Sequence, residues 1–213
     1  MGGCCDPRGC DGVFDDRFAR RMAARYRRRG LDATARRLVE VLAEPGLAGA
    51  TVLEIGGGVG EIGLELLHRG AASVTALELS PAYEAAAAEL LDEAGLTGRV
   101  HRRLVDLAAE PAAVEPADVV VLHRVVCCYP DVAALLGSAA DRTRRRLAFS
   151  FPRRDLVSRS FVATQNALLA LSGRQFRTFA HPRAGMFAVL AERGLRPALA
   201  HRGPVWQVAA AGR

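Results

Sequence analysis

The chain has 213 residues, half of them apolar and 24% charged, with a formal net charge of +6. That balance describes one globular domain long enough to bury roughly 70% of its unfolded surface, and it excludes a disordered chain. All 29 basic residues are arginine, which excludes Schiff-base and lysine-nucleophile chemistry, and no run of about 18 uncharged apolar residues offers a membrane-spanning helix.

The first residues, MGGCCDPRGC, are irregular and lack a basic segment followed by an apolar one, so the expected address is cytoplasmic. From Val13 to Arg29, Phe14, Phe18, Met22 and Tyr26 recur every fourth residue and predict a helix with one apolar stripe. Gly30 is its expected stop, and Asp32 the cap of a second helix bearing Leu38, Val39 and Leu42. This arm, residues 1–50, is expected to form a lid on a domain of residues 51–213. The period then changes. Thr51–Ile55, Ser73–Leu79, Val100–Val105, Ala117–Leu122 and Leu147–Phe151 read as strands. Helices separate them, one starting at Ser80-Pro81 and one capped by Asp131, and two more are expected near residues 156–171 and 184–193. Two last strands, near 195–201 and 205–209, are joined by Gly203-Pro204, too short a link for a parallel crossover, so they must pair antiparallel. The alternation predicts an α/β fold, a Rossmann-like seven-stranded, mostly parallel sheet whose ligands bind at the C-terminal strand ends.

The most informative segment is Val52-Leu53-Glu54-Ile55-Gly56-Gly57-Gly58-Val59-Gly60. A glycine turn from a first strand into a helix lets backbone approach a ligand closely. Glu54 precedes the turn. Glu78 ends the second strand, where a carboxylate can take both hydroxyls of a ribose. Asp106 follows the third strand, where it can accept from an adenine amino group. With no lysine, a phosphate-gripping P-loop is excluded.

These segments resemble the class I S-adenosylmethionine-dependent methyltransferases: LEIGGGVG their first motif, LELSP their second, VDLA and ADVVVLHRVV their third and fourth. The resemblance implies S-adenosylmethionine as cofactor, with Glu54, Gly56 and Gly58 at its methionine end, Glu78 on the ribose, Leu79, Asp106 and Leu107 around the adenine, and His123 near the methyl. Chemistry in this class is mostly positioning, with a general base only where the acceptor must lose a proton. His123, Tyr129 and His181 are the candidate bases. The arrangement is most similar to the magnesium-protoporphyrin O-methyltransferases, which share an N-terminal tyrosine, a Tyr-Pro after the fourth strand and a late His-Pro. Tyr26 would stand for the first, placed beside the reacting methyl by the helical lid. Where that family has a histidine before the Tyr-Pro, this chain has Cys128, within CCYPD.

The five cysteines fall in two clusters, Cys4, Cys5 and Cys10, and Cys127 and Cys128. Four readings stay open: a thiolate-bound metal, a thiophilic substrate such as trivalent arsenic (by resemblance to arsenite methyltransferases), a redox-sensitive disulfide, or cysteines without a joint role. The spacing is not that of a standard zinc site. Two functions are therefore carried forward: methyl transfer to an O, N or S nucleophile of a small molecule, and cysteine-based metal or redox sensing on the same fold. The arginines are scattered, with no basic face interleaved with aromatics, so neither nucleic acid nor membrane is an expected partner.

Overall fold

The computed structural model describes residues 13–44, 46–173 and 176–213. The first two helices of the described residues are α1 (Asp16–Arg29) and α2 (Ala33–Ala43). Asp15 caps α1 by accepting the Phe18 N–H, and Asp32 caps α2 by accepting those of Thr34 and Ala35. Gly30 closes α1 at φ 64°, a backbone that costs glycine nothing.

The strands are β1 (Thr51–Ile55), β2 (Ser73–Glu78), β3 (Val100–Leu104), β4 (Ala117–Leu122), β5 (Thr143–Pro152), β6 (Arg196–Arg202) and β7 (Trp206–Gly212). The helices between them are α3 (Glu61–His68), α4 (Glu84–Glu93), α5 (Val132–Asp141), α6 (Leu156–Leu171) and α7 (Arg183–Ala191). The strands form one sheet in the order β3-β2-β1-β4-β5-β7-β6. The first five run parallel; β7 lies antiparallel between β5 and β6. The expected fold class, with its antiparallel last strand, is the one observed. Several element ends shift by one to three residues, as where β7 runs on to Gly212, and two further differences have a local cause. Strand β5 starts at Thr143 rather than Leu147, because Arg145 and Arg146 find partners (Asp118 and the Gly46 carbonyl, the Val41 carbonyl and Glu44) that keep the arginine run extended. Ser80-Pro81 starts a 3-10 turn, Pro81–Tyr83, before α4.

Strand alternation divides the core into two layers. Val119 and Val121 of β4, Ala148 of β5 and Val208 of β7 face Leu38, Val39 and Leu42 of α2 and Ile62 and Leu66 of α3. Val120 and Leu122, Leu147 and Phe149, and Ala209 and Ala211 face Leu135 and Leu136 of α5 and Met186 and Leu190 of α7. Both faces are covered, as the unbroken apolar run of β4 requires. Helix α1 lies against α4 through Phe18, Ala19, Met22 and Ala23, joined by Phe14 just before it, around Tyr83 and Leu90. Thus α2 is an integral part of the core, and α1 leans on it from the side.

The register brings Ile55 level with Leu77 and Leu122, and Leu122 level with Phe149. The chain therefore leaves β1, β2 and β4 along one edge. The turn after β1 is left-handed at Gly56, Gly58 and Gly60, with φ of 63°, 55° and 84°. A Cβ at Gly56 would meet Val125 Cγ2 at 2.5 Å, whereas one at Gly95, equally left-handed at φ 66°, would meet nothing within 4 Å. Gly95→Ala should cost about 1–2 kcal/mol from backbone strain alone. Gly56→Ala should cost about 2–5 kcal/mol, because overpacking is added. Urea denaturation of both, and of Gly56→Ala with Val125→Ala, should show the second change recovering the excess. Equal losses at the two glycines would contradict the contact.

Candidate active site

A cavity of about 220 Å³ opens at this strand edge. Its floor is the glycine turn, Gly56 to Gly58, with Glu54 beneath it; Glu78 and Leu79 from β2 and Asp106 and Leu107 after β3 form one wall; His123 to Val125, Cys128 and Tyr129 after β4 form another. Phe14, just before α1, and Phe18, Met22 and Arg25 from α1 border it too.

Glu78 accepts hydrogen bonds from the N–H groups of Gly58 (2.8 Å), Leu79 (2.8 Å) and Ser80 (3.3 Å). They lock both carboxylate oxygens in place while leaving acceptor capacity on each. The Gly58 carbonyl is held in turn by Arg102 Nη2 at 2.9 Å, and Arg102 makes a two-pronged pair with Glu84. A β3 arginine therefore braces the turn from behind. Asp106 accepts from the Tyr129 hydroxyl at 3.1 and 3.0 Å and from the Ala108 N–H at 3.0 Å.

Glu54 is 3% exposed and accepts the Gly63 N–H at 3.2 Å. Burial, then the neighbouring Glu61, push its carboxyl up to about 8, against the pull of Arg102 and the Gly63 amide. Glu61, the first residue of α3, also lines the cavity, and its Oε2 is sealed from solvent with no hydrogen-bond partner. A cluster of acids with one orphaned oxygen suits a cationic ligand.

At the far wall, His123 Nδ1 lies 3.0 Å from Ser150 Oγ, and Nε2 lies 3.8 Å from Asp32 Oδ2. Ser150, fully buried on β5, also accepts the Arg124 N–H at 2.9 Å. Burial keeps the imidazole neutral by lowering its pKa, with Asp32 pulling the other way. Burial would raise the Asp32 carboxyl, but His123, the Ala35 amide and Arg124 hold it well below the usual carboxylate range. Arg124 donates to Asp32 at 2.7 Å, stacks over Trp206 at 5.0 Å, and among the described residues is the non-glycine residue with positive φ, 58°. Such a backbone costs of order 1–3 kcal/mol and clusters at functional sites.

Of the residues singled out from sequence, the structure brings Glu54, Gly56, Gly58, Glu78, Leu79, Asp106, Leu107, His123, Cys128 and Tyr129 to one cavity. It does not bring Tyr26 or His181 to the cavity wall. The Tyr26 hydroxyl donates to Glu65 Oε1 at 3.1 Å; burial and that carboxylate raise its pKa, so the phenol stays protonated. The expected place of Tyr26 beside the methyl is thus not the one it occupies, because its side chain reaches Glu65 on α3 instead. His181 Nε2 bonds the Tyr129 carbonyl at 3.0 Å and its ring stacks on Phe179, fixing the chain behind Tyr129. The Cys127 and Cys128 sulfurs lie 3.6 Å apart. The Cys128 hydrogen bond outweighs burial in lowering the Cys127 pKa. Among the described residues no three side chains are grouped to hold a metal; Cys4, Cys5 and Cys10 lie outside the described residues. No helix among them is long and apolar enough to cross a membrane. The sequence reading missed Arg25, Glu61, Arg102, Arg124 and Ser150, and gave Asp32 only a capping role. Glu61 alone had a local signal, an acid directly after the glycine turn.

Stability should report the buried acid. The Glu54 carboxyl titrates near 4.5 in the ordinary state and near 8 in the fold. The folded chain binds that proton more tightly, so its contribution is complete below pH 4.5 and is lost as pH rises through about 8. Glu54→Gln should therefore gain on the unmodified protein as pH rises from 5 to 8.5, by about 2–4 kcal/mol. Parallel denaturation curves across that range would contradict the assignment.

The whole arrangement can now be compared with known proteins. Residues 52–146 match the methyltransferase-domain family model. No curated protein matches the sequence. The chain is similar to magnesium protoporphyrin IX methyltransferase from Synechocystis PCC 6803, solved with bound S-adenosylhomocysteine (TM-score 0.70, 22% identity, 95% of this chain and 99% of that one). It is also similar to an O-methyltransferase family protein from Burkholderia thailandensis (TM-score 0.71, 20% identity, 96% of this chain and 62% of that one). A third likeness is to an O-methyltransferase family 2 protein from Planctomyces limnophilus, in complex with apigenin (TM-score 0.64, 19% identity, 92% and 61%). The family match thus covers residues 52–146, somewhat under half of the chain, and the chain as a whole shares the fold of these solved methyltransferases.

Proposed function

We propose that the chain transfers the methyl group of S-adenosylmethionine to a nucleophilic atom of a small molecule, with the cavity at the strand edge as its site. The observation that carries this reading is the pinned Glu78 carboxylate beside the left-handed glycine turn. Three amides fix it at the end of β2 with lone pairs to spare, a preorganised acceptor for two vicinal hydroxyls. The acid-lined floor, with the orphaned Glu61 oxygen, fits the positively charged methionine end. The neighbours solved with S-adenosylhomocysteine and with S-adenosylmethionine support the same reading.

When bound, S-adenosylmethionine supplies a methyl already activated by its sulfonium; the protein's task is alignment and, where needed, removal of a proton. Glu78 holds the ribose. Asp106, oriented by the Tyr129 hydroxyl, offers an acceptor to the adenine amino group, with Leu79 and Leu107 beside the ring. His123 is neutral and anchored. With its Nδ1–H donating a hydrogen bond to Ser150 Oγ, Nε2 presents a lone pair to the acceptor, and Asp32 at 3.8 Å stabilises the imidazolium that results. Acceptors with a dissociable proton, a hydroxyl or carboxyl above all, suit this base. Cys128 takes the place where the magnesium-protoporphyrin enzymes have a histidine, so in this chain the base falls to His123.

Titration calorimetry tests the cofactor. Glu78→Ala should bind S-adenosylmethionine roughly ten- to a hundredfold more weakly, the worth of charged hydrogen bonds to two hydroxyls. Unchanged affinity would remove Glu78 from the site, and equally tight binding of NAD would overturn the methyltransferase reading. His123→Asn should lower kcat about 10²- to 10⁴-fold with cofactor affinity retained. The acid limb of the pH profile should fall below 6.5, because burial lowers the imidazole pKa and the base must be unprotonated. A full-rate His123→Asn variant would show that no base acts at this position.

A further inference from the structure

We infer that the adjacent thiols of Cys127 and Cys128 form a two-sulfur chelating site, on the wall of the cavity, for a trivalent metalloid of the arsenic(III) type. The inference concerns side chains to which the mechanism above gives no chemistry, and it stands apart from the cofactor reading. Neighbouring side chains on an extended strand point to opposite faces. Past β4 the chain is no longer extended. Arg124 turns left-handed at φ 58°, and the Cys128 N–H closes a turn on the Val125 carbonyl at 2.8 Å. Both sulfurs come to one side of that turn, where each donates to the Arg124 carbonyl, Cys127 at 3.3 Å and Cys128 at 3.5 Å. The two sulfurs thereby lie 3.6 Å apart. Cys128 borders the cavity together with His123 and Tyr129, and Cys127 is 3% exposed.

That spacing separates the readings of the pair. A disulfide draws its sulfurs to about 2.05 Å and usually keeps its Cα atoms at least about 4.4 Å apart, whereas neighbours across a trans peptide have theirs about 3.8 Å apart. Closing this pair on itself would strain the turn. One soft atom between the sulfurs fits as they stand: thiolate bonds of about 2.3 Å, the length to zinc, meeting at about 100–110°, span about 3.5–3.8 Å. Zinc itself is a poor occupant, because it takes four ligands and among the described residues no three ligating side chains are grouped. A trivalent metalloid makes three bonds. The two thiolates, soft ligands for a soft centre, supply two, and the third stays on a group that the metalloid brings, facing the cavity. Thiolate is the ligating form, and the hydrogen bond with Cys128 lowers the Cys127 pKa against its burial. Capture is a condensation. With an organoarsenic(III) dihydroxide, two As–O bonds break and two As–S bonds form; the thiol protons leave with the hydroxyls as two waters, and no atom changes oxidation state.

Phenylarsine oxide, which hydrates to such a dihydroxide, is the probe. It is applied to the full chain with Cys4, Cys5 and Cys10 changed to serine, so that only Cys127 and Cys128 remain. Intact-mass spectrometry should show one phenylarsenic adduct per chain, resistant to excess glutathione, a monothiol, and removed by dithiothreitol, a dithiol. Cys127→Ser and Cys128→Ser, each added to that background, should weaken the adduct about 10²-fold or more, because the second thiolate no longer closes the chelate. Circular dichroism of each variant checks that it is folded, and Cys128→Ser, at the cavity surface, keeps the test decisive if the buried Cys127→Ser is not. A glutathione-resistant adduct that survives in either folded single-serine variant would overturn the inference. So would a background chain that forms no adduct, or one isolated two hydrogens lighter with Cys127 joined to Cys128. Each of these outcomes leaves the methyltransferase reading in place, since none of them involves the cofactor.

Discussion

The structure depends first on the hydrogen bond from the Gly58 N–H to Glu78. Only a chain that turns left-handed after β1 can aim that amide at the end of β2, and only glycine takes such a turn without strain. The bond joins two strand ends, and Arg102 joins a third by holding the Gly58 carbonyl from β3 while pairing with Glu84 of α4. The loop cannot relax without disturbing β1, β2 and β3 together. This rigidity is what a positioning enzyme needs. An activated methyl group demands alignment, and alignment demands a floor that does not move.

A second knot closes the opposite wall. Asp32 begins as a helix cap, yet its second oxygen receives Arg124 from the end of β4 and faces His123. One carboxylate thus ties the α1–α2 joint to the end of β4. Arg124 accepts a left-handed backbone to make this pairing and to lay its guanidinium on Trp206 of β7. Its amide anchors Ser150, which anchors His123. The helix that borders the cavity and the candidate base are therefore held by one charged network. Its low effective dielectric strengthens each pairing and raises the cost of losing any member.

Much of the fold was legible because its signals are local. The caps Asp32 and Asp131, the stop at Gly30, the unbroken apolar run of β4 and the short Gly203-Pro204 link each report on their own few residues. The cavity wall was legible because it is built from consecutive residues at strand ends. Tyr26 was not, since a stripe at helical spacing says which face is buried and nothing about which neighbour waits there. Glu65, 39 positions away, decides where its hydroxyl goes. Arg102, Arg124 and Ser150 stayed hidden for the same reason. Their partners lie 18 to 92 residues off, and such pairings are set by topology rather than by spacing. Strand β5 was read too short because three arginines look like a loop until Asp118 and the carbonyls of Val41 and Gly46 are brought to them.

The central claim is that one cavity, floored by the glycine turn and walled by Glu78 and His123, holds S-adenosylmethionine with its reactive sulfur toward the β4 edge. The most direct measurement is a crystal structure of the chain grown with S-adenosylhomocysteine. The account predicts both ribose hydroxyls within hydrogen-bond distance of Glu78 and the thioether sulfur facing the space beside His123. A ligand lodged elsewhere, or a ribose that leaves Glu78 untouched, would contradict it.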